Sequence, residues 1–221
     1  MNFDSIDDYR ELQQKLILSV LNEKIEISEN ILLSLVNRKV DLKRTITEIC
    51  FPVLNTVLEL YERGKIGKFE KIYLFTNLNE LFYLLRNLNT PFKDKDHEGK
   101  KVLIISGDDE GTPLCTILNI YFKKRGIDST TIGNIEKYID PFFDIDFQRY
   151  LKKIDKKKKI SLCIISFNER SIKFLYSTLI ESDLGEKIKL LVFSNENIKR
   201  NMERNIQEKI TTDLSLYLNS I

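Results

Sequence analysis

Histidine and cysteine are scarce in this sequence of 221 residues. The one histidine, His97, leaves no Ser-His-Asp or Cys-His catalytic group unless a partner supplies the base. The three cysteines, Cys50, Cys115 and Cys163, are an odd number, and none has a second cysteine or a histidine at metal-ligand spacing. Neither a disulfide framework nor a zinc site is predicted, and we expect three reduced thiols. Cys115 lies beside a loop and is the thiol whose reactivity we would test.

Long apolar runs and an excess of one charge are also absent. No apolar run reaches the roughly 18 residues of a membrane-spanning helix, and residues 1–5 lack the basic and apolar regions of a signal peptide. We therefore expect a cytoplasmic protein without a membrane partner. The 35 basic and 33 acidic residues give a net charge of +2, which predicts no direct binding of nucleic acid. Six of the eight residues 152–159 are lysines, which we interpret as a solvated connection.

The motifs of nucleotide-binding enzymes are missing as well. No Gly-x-Gly-x-x-Gly follows the first predicted strand, where Gly107 and Gly111 flank three acids, and no Walker loop occurs. The acids Asp108-Asp109-Glu110 resemble the metal-holding acids of phosphoacceptor receiver domains. Such a domain also needs an Asp after the third strand and a Lys after the fifth, where this chain has Ser166 and Asp213. We interpret the acids as solvated loop residues, with weak metal binding as an alternative.

The first 90 residues carry apolar side chains at helical spacing. This pattern predicts a four-helix bundle over residues 1–90, with helices at 5–21, 28–36, 41–62 and 69–88. Pro52 lies inside the third helix and should kink or interrupt it, because proline lacks the backbone donor. Gly64 and Gly67 are predicted to end that helix. Residues 91–100 are polar and aperiodic, which is typical of a linker.

From residue 101 the pattern alternates between buried strands and amphipathic helices. Strands are predicted at 102–106, 129–132, 160–166, 188–193 and 210–212, and helices at 114–125, 147–153, 171–180 and from 213 onward. Such alternation predicts a doubly wound, five-stranded parallel sheet over residues 101–221. The predicted fold class is therefore α/β, with a four-helix bundle followed by a Rossmann-like, flavodoxin-like domain.

The turn between the third and fourth predicted helices carries the most informative motif. The run from Leu58 to Ile72, LELYERGKIGKFEKI, resembles the helical cap of cobalamin-binding modules, which occur in methionine synthase, methyltransferase corrinoid proteins and cobalamin photoreceptor regulators. That cap has a Trp-Glu-Arg-Gly-Glu-Ile stretch leading to a Glu-His pair over the corrin. Tyr61 stands at the position of the Trp, and Lys71 and Ile72 stand at those of Glu and His.

The resemblance extends over roughly residues 10–221 and includes the sheet domain. Residues 101–106, 123–126, 132–133 and 212–214 fall where cobalamin domains have similar residues. The family carries a cobalt-binding His in the loop after the first strand, in the form Asp-x-His-x-x-Gly. Counting back from Gly126, through the helix predicted at 114–125, places the position of that His at Gly111. His97 precedes the first strand, at the edge of the sheet opposite the usual ligand edge, and we interpret it as a solvated linker residue.

Two more family positions lie at the ends of later strands. Ser166 matches a Ser near the buried nucleotide tail, and Ser194-Asn195 replaces a Gly-Gly pair, which would narrow the tail groove. The chain resembles the family, but the positions that contact the corrin, the cobalt and the nucleotide tail are altered. The resemblance therefore implies a non-enzymatic regulatory, sensory or adaptor protein with no cofactor. The alternative is a cobalamin carrier for a partner methyltransferase, without a protein His on cobalt. A purely structural interaction module is a third interpretation.

A pocket is predicted between the bundle and the carboxyl ends of the strands, because open parallel sheets bind ligands at that edge. Its candidate lining residues, for cobalamin or an unknown small molecule, are Tyr61, Lys71, Ile72, Asp108, Gly111, Thr112, Ser166 and Ser194. Lys71 is expected to pair with one of the acids 108–110. No catalytic residue and no metal ligand is predicted. The many apolar residues of the fourth helix favour a homo-oligomer or a protein partner.

Overall fold

The computed structural model describes residues 6–37, 40–87, 100–138, 143–153, 159–180 and 188–220. The chain divides into two compact units, Met1–Pro91 and Phe92–Ile221. His97, the predicted linker up to Gly99 and most of the lysine-rich run lie outside the described residues. No helix among the described residues is long and apolar enough to cross a membrane.

The first unit consists of helices alone in its described residues. They are α1 (Ile6–Leu21), α2 (Ile25–Asn37), α3 (Leu42–Thr45), α4 (Phe51–Glu62) and α5 (Lys68–Tyr83). A π-helical turn, Ile46–Cys50, joins α3 to α4, and a 3-10 turn, Leu84–Asn87, extends α5. Because α3, the π turn and α4 are continuous, four helical segments result, and the predicted four-helix bundle is confirmed.

Pro52 accounts for the irregularity within the third segment. It stands in the first turn of α4, directly after the π turn. In that turn the Phe51 N–H donates to the Ile46 carbonyl, five residues back rather than four. The wider turn lets the helix pass a residue that has no N–H to donate. Instead of the break that was one of the two outcomes predicted at Pro52, the structure has a π turn directly before it within a continuous helix.

Helix α5 carries apolar side chains on two faces. One face packs into the core of the bundle through Leu74, Phe75, Leu78, Leu81 and Phe82. On the first turns of the opposite face, Phe69 is 83% exposed, Ile72 is 43% exposed, and Tyr73 is also exposed. The Glu70 side chain accepts a 3.4 Å hydrogen bond from the Gly67 N–H and closes the start of the helix.

The second unit contains a five-stranded sheet in the order β2-β1-β3-β4-β5. The strands are β1 (Lys100–Ser106), β2 (Asp128–Ile132), β3 (Lys159–Ile165), β4 (Ile188–Phe193) and β5 (Ile210–Thr211). All four neighbouring pairs are parallel. The predicted fold class is therefore confirmed: a doubly wound parallel sheet follows the bundle in the chain.

Helices cover both faces of this sheet. They are α6 (Thr112–Lys124), α7 (Phe143–Lys153), α8 (Glu169–Ile180), α9 (Glu196–Asn201), α10 (Arg204–Gln207) and α11 (Leu214–Asn219). Residues of α7 and α8, such as Phe147 and Leu175, share a buried cluster with Leu103 and Leu162 of the sheet. On the other side the Phe193 ring packs edge-on at 5.6 Å from that of Tyr217 in α11. Burial on two faces explains the apolar runs of the three central strands, β1, β3 and β4.

Candidate functional site

The carboxyl ends of β1, β3 and β4 lie side by side, and the loops that follow them form the candidate site. We call residues 106–112, 166–168 and 194–195 the carboxyl rim. The first residue beyond each strand still bonds to its neighbour through the backbone: Gly107 N–H to Ile165 O at 2.8 Å, Ser166 N–H to Phe193 O at 3.2 Å, and Ser194 N–H to Thr211 O at 3.3 Å. Backbone hydrogen bonds therefore fix the start of each rim loop to the end of the neighbouring strand.

Asp108 is the central side chain of the rim and is 1% exposed. One carboxylate oxygen, Oδ1, accepts a 2.7 Å hydrogen bond from the Gly111 N–H. The other, Oδ2, accepts from the Ser166 hydroxyl at 2.7 Å and from the Phe167 N–H. The carboxylate therefore closes its own loop and ties that loop to the one after β3.

Burial raises the pKa of Asp108 to about 7, and the charge of nearby Glu110 acts in the same direction. The hydrogen bonds from Ser166, Gly111 and Phe167 oppose the shift because they favour the ionised form. A protonated Asp108 can also form a hydrogen bond, by donating its proton to the Ser166 hydroxyl oxygen. The Ser166 hydroxyl then donates to the Asn168 carbonyl oxygen, 3.3 Å away. The network accommodates either state of the carboxyl group.

Gly111 is at the place where the loop comes nearest to β3. A Cβ atom at this position would lie 2.6 Å from the Ile165 carbonyl oxygen and 2.9 Å from Ser106 Oγ. Ser106 Oγ itself donates to the Asp108 carbonyl oxygen at 2.5 Å and lies 3.2 Å from Thr112 Oγ1. Glycine is therefore required here for close backbone packing.

The three acids at 108–110 do not converge. Asp108 points inward, whereas Asp109 pairs with Lys137 at 3.2 Å and accepts a 2.8 Å hydrogen bond from the Asn134 side chain. Within the described part of the chain, no three His, Cys, Asp or Glu side chains are grouped so as to hold a metal ion. The arrangement differs from the paired acids of a receiver domain.

Two buried hydroxyl groups lie at or beside the rim without a hydrogen-bond partner among the described residues: Ser194 Oγ and Ser171 Oγ. Ser194 belongs to the rim, and Ser171 lies in the first turn of α8 beside Gly107. Leaving a buried hydroxyl unpaired costs roughly 1–3 kcal/mol. A bound group or a water molecule at the rim would supply the missing bond to Ser194.

The remaining predicted site residues belong to the bundle. The Lys71 Nζ lies 4.0 Å from the centre of the Tyr61 ring, in cation–π contact. Ile72 follows Lys71 on the first turns of α5 and is partly exposed. The proximity of these three residues to the carboxyl rim, and the pairing of Lys71 with an acid at 108–110, remain predictions.

All three cysteines are free and buried. Burial raises the pKa of the Cys163 thiol to about 12, and it raises the pKa of Cys50 and Cys115 still further. The expectation of reduced thiols is consistent with these positions. The choice of Cys115 as a thiol to test for reactivity is wrong, because its side chain faces the core beneath the rim and the thiolate is disfavoured.

Sequence reasoning missed a polar layer around the rim. The Asn168 side chain accepts hydrogen bonds from the Arg170 and Ser171 N–H groups at the start of α8, at 2.9 and 3.4 Å. It also donates to Glu136 at 2.7 Å, so it links the loop after β3 to the segment after β2. The available sequence signal was the N-cap pattern, an Asn immediately before Glu169 and an amphipathic helix.

No protein-family model matches this chain, and no curated protein matches it in sequence. The structure of the monomethylamine corrinoid protein from Methanosarcina barkeri matches with a TM-score of 0.68, over 96% of this chain and 97% of that chain, at 12% sequence identity. A cobalamin-binding protein from Desulfitobacterium hafniense DCB-2 (TM-score 0.39, 12% identity, 94% and 96% coverage) and the methanol:cobalamin methyltransferase complex from Methanosarcina barkeri (0.38, 13%, 95% and 77%) also match, at scores too low to carry an argument.

The first of these matches corrects one expectation from the sequence. We predicted no cofactor, with cobalamin as the alternative, because the family contacts are altered. A structure that matches 96% of this chain is that of a corrinoid protein, which contradicts the prediction of no cofactor. At 12% identity the likeness concerns the fold. The chain has the fold of the cobalamin-binding modules, a helical cap followed by a Rossmann-like domain, and the resemblance predicted from its sequence is confirmed at that level.

Proposed function

We propose that this protein is a corrinoid carrier, which holds cobalamin and presents it to a partner methyltransferase. The observation that carries the proposal is the fold match with a corrinoid protein over 96% of the chain. This match favours the carrier, the alternative drawn from the sequence, over a sensory regulator. A protein partner is part of the proposal, and so is a cytoplasmic location, because three reduced thiols suit a reducing compartment.

The carboxyl rim is compatible with such a ligand. In open parallel sheets, ligands bind beyond the carboxyl ends of the strands. Ser194 Oγ is buried there and has no hydrogen-bond partner in the part of the chain that the structure describes, so a hydrogen-bonding group of the nucleotide tail would satisfy it. We propose that Thr112, Ser166 and Ser194 contact the tail, and that Asp108 fixes the loop that carries Gly111. On the bundle, Tyr61, Lys71 and Ile72 are the proposed contacts to the corrin.

Bound cobalamin would supply a cobalt atom that accepts and releases a methyl group. We propose that no protein imidazole binds its lower face. Gly111, at the position counted for the family His, has no side chain and no space for one. Measured instead from the buried Asp108, the Asp-x-His spacing falls on Glu110, which is a carboxylate. His97 precedes β1, and the amino end of that strand lies away from the rim.

Reconstitution with hydroxocobalamin tests the carrier directly. We expect the corrin absorbance to travel with the protein through gel filtration at one corrin per chain. An Ile72→Asp variant should bind more weakly, because a charge replaces a partly exposed apolar contact. Leu18→Asp is the matched control, since Leu18 is an exposed aliphatic residue of α1, at 59% exposure. A protein peak without corrin absorbance would refute the carrier.

The lower ligand is tested by electron paramagnetic resonance of the complex reduced to Co(II). Cobinamide lacks the nucleotide base, so any nitrogen splitting in its complex must come from the protein. We expect the cobinamide complex to show no nitrogen splitting from the lower face. Splitting that disappears in a His97→Ala variant would identify His97 as a ligand and overturn this part of the proposal, while corrin binding itself would stand.

A further inference from the structure

The loop after β1 lies at the point where the strand connections of the sheet diverge. In the order β2-β1-β3-β4-β5, the chain passes from β1 to β2 on one side and from β3 to β4 on the other. Parallel sheets of this order bind ligands at the carboxyl ends of the two strands that flank this switch point, here β1 and β3. Residues 107–111 of the carboxyl rim therefore lie where a ligand is expected.

Within this loop, the residues on both sides of Glu110 are fixed. Asp108 is buried, and its carboxylate accepts a 2.7 Å hydrogen bond from the Gly111 N–H. Asp109 faces the segment after β2, where it pairs with Lys137 at 3.2 Å. Gly111 packs against the end of β3 too closely to move toward it. The position of Glu110 at the switch point is therefore determined by its neighbours.

Glu110 is the acid of this loop whose side chain can contact a ligand at the switch point. Asp108 and Asp109 bind other parts of the protein, whereas the Glu110 side chain is partly exposed. Its charge lies close enough to the buried carboxyl group of Asp108 to raise the pKa of that group. Ser194 Oγ, buried at the same rim with no hydrogen-bond partner among the described residues, is an independent sign that a bound group belongs there.

We propose that the Glu110 carboxylate faces the lower side of the cobalt atom of a bound corrinoid. The assignment rests on the proposed carrier function, and it names a residue for the role that Gly111 has no side chain to fill. A negative charge beside a metal stabilises the more oxidised states, because the attraction grows with the positive charge of the metal. Glu110 therefore makes the Co(II)/Co(I) potential lower than it is beside a neutral side chain.

A histidine introduced at this position tests the placement. In the Co(II) cobinamide complex of Glu110→His, we expect nitrogen splitting in the electron paramagnetic resonance spectrum, because the new imidazole lies at the lower face. Asp109→His is the matched control and should show no splitting, since residue 109 faces Lys137. A Glu110→His complex that holds cobinamide without nitrogen splitting would overturn the assignment, and so would splitting that is already present in the wild type.

The effect of the charge is tested with Glu110→Gln, by spectroelectrochemical titration of the cobinamide complex. We expect a Co(II)/Co(I) midpoint potential above that of the wild type. Asp109→Asn removes an equal charge from the neighbouring residue and should shift the midpoint much less. A glutamate before the first turn of α6 also stabilises the start of that helix, by about 0.3–1 kcal/mol. If that is its entire role, Glu110→Gln lowers the free energy of unfolding and leaves the midpoint unchanged, which would overturn the assignment.

These outcomes are separable from a failure of the carrier itself. Corrin absorbance that stays with Glu110→His in gel filtration, without nitrogen splitting, overturns the role of Glu110 and leaves the carrier standing. A wild type that holds neither cobinamide nor hydroxocobalamin refutes the carrier and this assignment with it. Both variants change a partly exposed side chain, so their circular dichroism should match that of the wild type. If Glu110→His alone fails to bind cobinamide, the midpoint of Glu110→Gln decides.

Discussion

At the scale of single residues, Gly111 packs so closely against the ends of β1 and β3 that the rim has no space for a side chain at this position. A Cβ at Gly111 would contact the Ile165 carbonyl oxygen and Ser106, and neither a backbone atom nor a hydrogen-bonded hydroxyl can easily withdraw. We expect Gly111→Ala to lower the free energy of unfolding by about 1–3 kcal/mol, the usual range for overpacking. Urea denaturation measures this change.

Gly133→Ala is the control for that substitution. Its added Cβ would meet no atom within 4 Å, so we expect a change within about 1 kcal/mol. Equal effects of the two substitutions would contradict the role assigned to Gly111.

The buried carboxyl group of Asp108 predicts a pH dependence of stability. Its pKa is about 7 in the folded chain and 3.8 ordinarily, so between these values the folded state binds more protons than the unfolded state. The contribution of Asp108 to stability is therefore largest below about pH 4 and falls as the pH rises to about 7. The Asp108→Asn variant has no carboxyl group at this position, so its stability lacks this pH-dependent contribution.

The measurement is the difference in free energy of unfolding between the wild type and Asp108→Asn across that range. We expect the wild type to lose stability relative to Asp108→Asn as the pH rises from 4 to 7. Asp109→Asn removes an acid from the same loop, but one that is half exposed, and should leave the slope of the wild type in place. A pH-independent difference for Asp108→Asn would contradict the assignment.

At the scale of elements, Asn168 holds the start of α8. Asn168→Ala removes the acceptor for the Arg170 and Ser171 N–H groups, and we expect a loss of about 1 kcal/mol of unfolding free energy. Asn168→Ser retains a capping oxygen but also loses the bond to Glu136. The difference between these two variants isolates the cap, and thermal unfolding measures it. If Ser and Ala are equally destabilising, the bond to Glu136 and not the cap is what matters.

The elements that the sequence predicts best are those with strong apolar patterns. All five strands lie within two residues of their predicted bounds. For β1, β3 and β4 the reason is that a strand buried on both faces is a mostly apolar run, whereas β2 is polar and largely exposed and has no such run. The short helices α9 and α10 were not predicted, since six and four residues are too few to show a period. Their positions follow from packing, through Met202 and Ile206 in the sheet core.

The carboxyl rim was predictable in position but not in chemistry. That residues after β1, β3 and β4 share an edge follows from parallel topology alone. Which of three consecutive acids turns inward does not, because Asp108 owes its burial to donors on Gly111, Ser166 and Phe167. Two of these donors come from a loop almost 60 residues further along the chain, so the residues next to Asp108 in the sequence cannot predict them.

At the scale of the whole molecule, the second unit contains a complete sheet with helices on both faces. We expect a fragment of residues 92–221 to fold alone and to unfold in one cooperative thermal transition, followed by near-ultraviolet circular dichroism. A fragment of residues 92–187 lacks β4, β5 and α11 and exposes one long side of β3, so it should not fold. A 92–221 fragment without a cooperative transition would mean that this unit needs the bundle.

The π turn at Ile46–Cys50 has a consequence for how this chain is compared with others. A hydrogen bond that spans five residues instead of four encloses one additional residue, so this segment is one residue longer than a plain α-helix of the same course. A relative with an unbroken α-helix would need a one-residue gap opposite this turn. Without that gap, an alignment anchored upstream would pair every later position of α4, up to Tyr61 and the turn after it, with the wrong neighbour.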